Sequence, residues 1–239
     1  MDLIAQISQA AIINQHKQQT LIREYQETSN AGLVYRLGIM GGTFDPIHYG
    51  HLVTAESARW EFKLNTVIFI PSGRPPHKAE KCISDAELRY QMTLLATANN
   101  PSFIVSRLEI DRPGSSYTVD TVKQMFKDMG HLTDLFFITG ADAVLEISTW
   151  RDVAELFGLC TLVAATRPGF DLIETKQGFD LPGNLINKIR FIEVPMLAIS
   201  STDIRNRVWA GKPVRYLLPE SVKDYIKQCL LYQNLECAL

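Results

Sequence analysis

The sequence predicts an α/β fold, in which a doubly wound parallel sheet carries helices on both of its faces within a single domain. The main observation is that short apolar runs alternate with longer segments of helical periodicity along most of the chain. Glycine or proline follows several of these runs, as expected where buried strands pass into loops. With 239 residues, of which 46% are hydrophobic and 21% charged, the chain can form one substantial core.

The apolar runs are interpreted as strands and the segments between them as helices. The first strand covers residues 33–40, and the others are predicted at 66–70, 103–106, 135–139, 160–164 and 191–194. Helices are expected after residue 51, at 85–99 with Ser84 as the cap, at 118–129, in short pieces at 144–147 and 153–157, and from Ser201 and Glu220 onward. This order is Rossmann-like. Residues 168–184, which glycine and proline interrupt, are expected to form a loop or flap.

Residues 1–32 differ in composition from the domain predicted at 33–239. They are rich in Gln, Asn, Ile and Ala, contain no proline, and have only a weak helical stripe of apolar residues. They are interpreted as an N-terminal extension that is helical or disordered. A dispensable tail, a misassigned start and a helix that docks on the domain all remain open, because chain termini are often loosely held.

Charge and cysteine usage exclude several classes of protein. The formal net charge of −2 gives no reason to expect nucleic-acid binding. Four cysteines are scattered without the spacing of metal ligands, and we expect reduced thiols in a cytoplasmic protein. No apolar run approaches the roughly 20 residues of a membrane span, and the N-terminus does not resemble a signal peptide. The sequence leaves the oligomeric state open, including a homo-oligomer.

The most informative segment, residues 41–51, joins the first strand to the first helix of the domain. Gly41 and Gly42 allow main-chain N–H groups to approach an anion without a Cβ in the way. Asp45 is predicted to cap the helix, with Pro46 at its first position. His48 and His51 would then share one helix face, one turn in, where two imidazoles can donate hydrogen bonds to developing negative charge. A metal half-site or two structural histidines are alternatives, although no third ligand follows at helical spacing.

A second segment, residues 199–205, places three hydroxyl side chains before an amphipathic helix. One of them can cap the helix and leave N–H groups for an anion. Ser200 and Asp203 have the spacing of a capping box, and Arg205 lies one turn in, within reach of a phosphate. An ordinary capped helix is the alternative for this segment alone.

Together the two segments resemble the adenylyltransferase branch of the nucleotidyltransferase superfamily, whose T/H-x-G-H signature matches residues 42–51. Further segments of the chain are similar to segments of bacterial nicotinate-nucleotide adenylyltransferases. They are residues 69–71, 75–78, 116–121, 140–142, Trp150, 167–169, 216–222 and 225–226. The resemblance covers roughly residues 34–232 and leaves the N-terminal extension unexplained.

The resemblance implies transfer of AMP from ATP to nicotinate mononucleotide, with Mg²⁺ carried by the ATP phosphates and no covalent adenylyl-enzyme. The catalytic residues would be His48, His51 and Arg205, with His51 the more important histidine. The residues expected to bind ATP are Gly41, Gly42, Thr43, Phe44, His48, His51, Asp142, Ser200, Ser201, Thr202 and Arg205.

For the mononucleotide, the resemblance implies that Trp150 stacks on the pyridine ring, while a core tryptophan is the alternative. Main-chain amides near Thr118 and Arg151 would hold the nicotinate carboxylate. The full expected set is His77, Lys78, Tyr117, Thr118, Trp150, Arg151 and Arg167. Asp120 is left out, because an acidic residue in the first turn of a helix is favoured there in any case.

Three other functions remain open at this point. The acceptor could be a phosphopantetheine or flavin nucleotide, although the Pro-Pro-His-Lys loop at residues 75–78 and the chain length argue against the former. Nicotinamide mononucleotide could replace nicotinate mononucleotide. A regulator that binds ATP without turnover belongs to a different class, and the two intact phosphate motifs disfavour it.

Overall fold

A computed structural model describes residues 2–75, 83–166, 185, 187–195 and 197–233. Its centre is a six-stranded sheet in which every neighbouring pair is parallel. The strands are β1 (Tyr35–Gly42), β2 (Thr66–Pro71), β3 (Phe103–Val105), β4 (Thr133–Gly140), β5 (Thr161–Thr166) and β6 (Ile189–Glu193). Their order is β3-β2-β1-β4-β5-β6, so the direction of winding reverses between β1 and β4. Such a reversal opens a crevice at the carboxyl ends of the strands.

Helices cover both faces of the sheet. They are α1 (Leu3–Asn30), α2 (Tyr49–Glu61), α3 (Ala86–Thr97), α4 (Thr118–Met129), α5 (Ala141–Leu145), α6 (Val153–Leu159), α7 (Ser201–Trp209) and α8 (Glu220–Gln228), with a 3₁₀ turn at Ile147–Thr149. Successive strand residues enter opposite cores: Val67 and Phe69 pack into one, and Ile68 and Ile70 into the other. The predicted doubly wound fold is confirmed. None of the described helices is long and apolar enough to cross a membrane.

Some element boundaries differ from the prediction. Leu33 and Val34 remain exposed, and β1 begins at Tyr35. Helix α3 is capped by Asp85, whose Oδ1 accepts the N–H of Glu87 at 2.8 Å, and not by Ser84. The main-chain N–H of Ser84 instead donates to a buried carboxylate, described below. The predicted flap at 168–184 lies outside the described residues.

The N-terminal extension forms one helix, α1, which lies against α3 and the edge strand β3. Asn14 is buried, and its side-chain amide bonds to the main chain of β3 as a neighbouring strand would. Its Nδ2 donates to the carbonyl of Val105 at 3.0 Å, and its Oδ1 accepts the N–H of Val105 at 2.8 Å. Lys17 Nζ donates to the carbonyls of Thr97 and Ala98 at the end of α3. These contacts cover polar groups of a strand edge that would otherwise be open.

Replacing Asn14 with alanine is expected to lower the free energy of unfolding by about 1–3 kcal/mol, because the buried N–H of Val105 loses its acceptor and the carbonyl of Val105 keeps only the bond from Gln18 Nε2. Urea denaturation of the full chain measures this change. Gln15→Ala is the matched control, since Gln15 lies on the exposed side of the same helix. Equal stabilities of the two variants would show that α1 contributes nothing through Asn14.

Candidate active site

Two cavities lie at the carboxyl edge of the sheet, beside the turn between β1 and α2. The first, here called the histidine cavity, has a volume of about 440 Å³ and is lined by Met40, His48, His51, Asp142 and Ile199 among others. The second, the tryptophan cavity, measures about 300 Å³, and its lining includes Gly41, Gly42, Thr43, Thr118 and Trp150. Since Met40 and Gly41 are neighbours on β1, the two cavities flank the same strand end.

The two glycines at the end of β1 leave room for aromatic rings. A Cβ on Gly42 would lie 2.8 Å from the ring of Phe44, and one on Gly41 would lie 3.2 Å from the ring of Phe137. Phe44 itself is buried and packs edge-on against His51, with 5.1 Å between ring centroids. The Phe44 side chain therefore packs against His51 from the interior. Only the main chain of Phe44 can contact a ligand.

Asp45 does not cap α2, and Pro46 is not the first helical residue, so both predictions are wrong. The helix begins at Tyr49, with His48 as its N-cap. Asp45 is 4% exposed, and its carboxylate accepts the N–H of Ser84 at 3.1 Å and the hydroxyl of Tyr232 at 2.6 Å. Because these partners draw Asp45 into the interior, the turn before α2 is three residues longer than local pattern indicates.

His48 and His51 lie at the start of α2 and not one turn into it. Their rings stack with centroids 3.8 Å apart, and the main-chain N–H of His48 donates to His51 Nδ1 at 3.2 Å. An Nδ1 that accepts leaves the proton of a neutral imidazole on Nε2. His48 is buried, and no described residue is a hydrogen-bond partner of its Nδ1. Burial lowers the pKa of His48 to about 4, so its ring is neutral near pH 7.

This pKa predicts a pH dependence of stability. Because the folded pKa of about 4 lies below the ordinary value of 6.5, protonation favours unfolding. The contribution of neutral His48 to the free energy of unfolding is complete above pH 6.5. It decreases as the pH falls from 6.5 toward the folded pKa of about 4. We expect the free energy of unfolding to fall by about 2 kcal/mol between about pH 7 and about pH 5. This decrease should be absent in His48→Gln. Urea titrations at both pH values test this, with exposed His16→Gln as control; an unchanged slope in His48→Gln would contradict it.

Helix α7 is fastened to the β1–α2 turn. Ser200 is its N-cap, as predicted, and Ser200 Oγ accepts the N–H of Asp203 at 3.0 Å. Ser201 Oγ donates to the carbonyl of Pro46 at 2.9 Å. Arg205 donates through Nη1 to the carbonyl of Asp45 at 2.8 Å and through Nη2 to Thr202 Oγ1 at 3.3 Å. The two motifs, about 150 residues apart in sequence, therefore meet at one place, and Ile199 just before them lines the histidine cavity.

The tryptophan cavity has an aromatic and charged wall. Trp150 ends the 3₁₀ turn and packs edge-on against Phe137, with 6.0 Å between ring centroids. The Arg151 guanidinium lies over Tyr117, the N-cap of α4, at 4.9 Å from its ring centroid. Arg151 Nη1 is also 3.9 Å from Asp120, the acidic residue that sequence reasoning set aside. Thr118 begins α4, where main-chain N–H groups lack partners within the helix.

Sequence reasoning missed Glu109, a buried carboxyl that lines the tryptophan cavity. Glu109 Oε1 accepts the hydroxyl of Thr121 at 2.6 Å. Burial raises the pKa of Glu109, while its hydrogen bonds with Thr121 and Ser116 oppose the shift. Glu109 follows the short strand β3 without a recognisable motif of its own, so only the folded arrangement reveals it.

Residues 39–207 match the model of the cytidylyltransferase-like family. A protein of Moorella thermoacetica named "probable nicotinate-nucleotide adenylyltransferase" is 62% identical over 83% of this chain and 92% of its own. A protein of Thermoanaerobacter sp. strain X514 with the same name is 57% identical over 83% and 95%. The chain belongs to the nicotinate-nucleotide adenylyltransferase family.

The fold of this adenylyltransferase family member also occurs in solved structures. Plasmodium falciparum nicotinic acid mononucleotide adenylyltransferase, complexed with NaAD, matches with a TM-score of 0.68 and 20% identity, over 84% of this chain and all of that one. The crystal structure of a putative nicotinate-nucleotide adenylyltransferase from Vibrio parahaemolyticus matches with a TM-score of 0.60. Because fewer than a quarter of the residues are identical in these two structures, the similarity shows a shared fold alone.

In this adenylyltransferase family member, the structure groups most of the predicted site residues at one sheet edge. Asp142 lies in the first turn of α5 and lines the histidine cavity. Gly41, Gly42 and Thr43 line the tryptophan cavity, next to the histidines. His77, Lys78 and Arg167 lie outside the described residues. No group of three or more His, Cys, Asp or Glu side chains in the described ranges could hold a metal ion.

Proposed function

We propose that the protein transfers the AMP moiety of ATP to nicotinate mononucleotide and releases nicotinate adenine dinucleotide and pyrophosphate. The observation that carries the proposal is the pair of cavities on either side of the β1 carboxyl end, one with two stacked histidines and one with Trp150. Two substrates held there would meet at residues 40–43. The names of the relatives support the same reaction.

ATP is assigned to the histidine cavity. His51, whose Nδ1 is already accepting, would direct Nε2–H toward an α-phosphate oxygen and stabilise the charge that develops there. The start of α7 would supply donors to the outgoing pyrophosphate: the hydroxyls of Ser200 and Thr202, which accept hydrogen bonds within the helix, and the main-chain N–H of Ser201, whose hydroxyl is bonded to Pro46. Arg205 would support this end through its guanidinium. Asp142 would accept hydrogen bonds from the ribose hydroxyls.

The acceptor phosphate would attack the α-phosphorus directly. A bond forms between its oxygen and that phosphorus, and the bond to the bridging oxygen of the β-phosphate breaks, so pyrophosphate leaves. A phosphate monoester is ionised near pH 7, so no general base is needed and catalysis rests on positioning and charge stabilisation. We assign Mg²⁺ to the phosphates of ATP, where this hard cation would neutralise part of their negative charge.

The mononucleotide is assigned to the tryptophan cavity. The Trp150 ring would stack on the pyridine, and the main-chain N–H groups of Thr118 and Arg151 would bind its carboxylate. Tyr117 lies beside Arg151 on the same wall. His77 and Lys78 remain predicted ligands of the mononucleotide phosphate, and Arg167 remains a predicted guard of the nucleotide.

The first experiment is pyrophosphate release from ATP and Mg²⁺ with one acceptor at a time: nicotinate mononucleotide, nicotinamide mononucleotide, phosphopantetheine or FMN. We expect strong turnover with the first and weak turnover with the second. Preference for another acceptor would keep ATP in the histidine cavity and refute the assignment of Trp150. ATP binding without turnover of any acceptor would place the protein among regulators.

A further inference from the structure

Arg89 of α3 has the largest fully buried side chain in the described part of the chain and is 1% exposed. Its guanidinium donates to three main-chain carbonyls: Nη1 to Thr43 at 2.7 Å, Nε to Ser84 at 2.9 Å and Nη2 to Gly73 at 3.3 Å. Burial lowers the pKa of Arg89, and nearby carboxyl groups, Asp45 foremost, oppose the shift. Thr43 follows β1, whereas Gly73 and Ser84 lie between β2 and α3, so one cation joins two active-site loops.

The same loops form one wall of the tryptophan cavity. Thr43 lines it, and Gly73 lies between Ser72 and Pro75, which line it as well. The N–H groups of Gly73 and Arg74 both donate to Ser116 Oγ, at 3.1 and 3.2 Å. Ser116 directly precedes Tyr117 and Thr118 at the start of α4. Hydrogen bonds thus link Arg89 through Gly73 to Ser116, two residues before Thr118, which is assigned to the nicotinate carboxylate.

The loop after β3 is pressed against this wall without a gap. A Cβ on Gly73 would lie 2.2 Å from the carbonyl oxygen of Glu109, so the two loops touch main chain to main chain. On the other side, Asp45 accepts from Ser84 and Tyr232 and, through its carbonyl, from Arg205. The Arg89 network therefore reaches the tryptophan cavity through Thr43 and, through Ser84 and Asp45, helix α7, which begins just after Ile199 of the histidine cavity.

We propose that Arg89 is a positioning residue for adenylyl transfer, which sets the distance and orientation between the mononucleotide and ATP by holding the loops after β1 and β2. This inference rests on the proposed function. A guanidinium suits the role because its planar fork serves separate acceptors at once, whereas the ammonium of lysine is a point charge that cannot span them. Displacing reacting groups by about 1 Å can cost on the order of 10²-fold in rate.

The test compares Arg89→Lys with wild type in steady-state pyrophosphate release with ATP, Mg²⁺ and nicotinate mononucleotide. We expect kcat at saturation of both substrates to fall about 10- to 100-fold, while the Kd of ATP from calorimetry changes less than about threefold, because the α7 contacts remain. Thr97→Val is the control: Thr97 is buried in the same helix, and its hydroxyl bonds only to helix carbonyls. It should keep a near-normal kcat.

If Arg89→Lys fails to fold, Ser116→Ala decides, because it removes the shared acceptor of the Gly73 and Arg74 amides. We then expect a higher KM for nicotinate mononucleotide, by about 3- to 10-fold for each of the two amide hydrogen bonds lost, with the KM of ATP unchanged. Unchanged values for both substrates would overturn the inference, as would a folded Arg89→Lys enzyme with wild-type kcat. Absence of turnover by the wild type would instead refute the proposed function.

Discussion

His51→Ala is expected to lower kcat by about 10²–10³-fold, the effect of removing one donor that stabilises developing charge. The reason lies in the orientation of the ring. His51 Nδ1 accepts the N–H of His48 at 3.2 Å, which fixes the ring and keeps the proton on Nε2, and His51 lines the histidine cavity. KM values should change much less than kcat, since the interaction is made chiefly in the transition state.

The measurement is kcat for pyrophosphate release, together with circular dichroism and a melting curve that establish the fold. Loss of the acceptor for the His48 N–H should cost only about 1 kcal/mol of stability, as for other helix caps. His131→Ala is the matched control, because His131 is exposed at the amino edge of the sheet and packs on Phe126. A folded His51→Ala enzyme with near-normal kcat would remove His51 from the catalytic assignment.

Trp150→Ala is expected to raise the KM of nicotinate mononucleotide by roughly 5- to 150-fold, which corresponds to about 1–3 kcal/mol for one aromatic–base stack. The KM of ATP should stay the same, because Trp150 lines only the tryptophan cavity among the two cavities of the site. Trp150→Phe should recover part of the affinity, since it restores an aromatic face.

Trp60→Ala is the matched control for Trp150→Ala. Trp60 lies in α2 and is 78% exposed, so its removal should change neither KM. Equal KM values of Trp150→Ala and wild type would show that Trp150 serves the core through its contact with Phe137. A parallel rise in the KM of ATP would indicate that the edge of the sheet as a whole has shifted.

Local patterns were sufficient to predict the sheet and the start of α7. Strand and helix periods are properties of neighbouring residues, and Ser200 caps α7 as its position indicates. Asp45 shows where local reasoning fails. A cap was the natural reading of Asp-Pro before a helix, but its partners Ser84 and Tyr232 lie 39 and 187 residues away. Such pairings follow from the tertiary fold alone.

The N-terminal helix illustrates a second limit. Its apolar stripe is weak because a large part of its attachment to β3 and α3 is polar, through Asn14 and Lys17. A search for hydrophobic periodicity cannot detect an asparagine that replaces a strand partner. Arg89 was also missed, because an arginine within an amphipathic helix usually indicates a solvated face. In this structure Arg89 is 1% exposed.

The fastening of α7 to the β1–α2 turn has a consequence for synthesis of the chain. Ser201 and Arg205 bond to Pro46 and Asp45, 155 and 160 residues earlier. A nascent polypeptide that has left the ribosome only as far as β6 can pair all six strands, yet it lacks the donors assigned to pyrophosphate. The chain therefore becomes able to catalyse the reaction only after the sheet has formed. The last step is late because the contacts of α7 join residues that are far apart in the sequence. Translation products that stop before α7 should be folded in part and inactive.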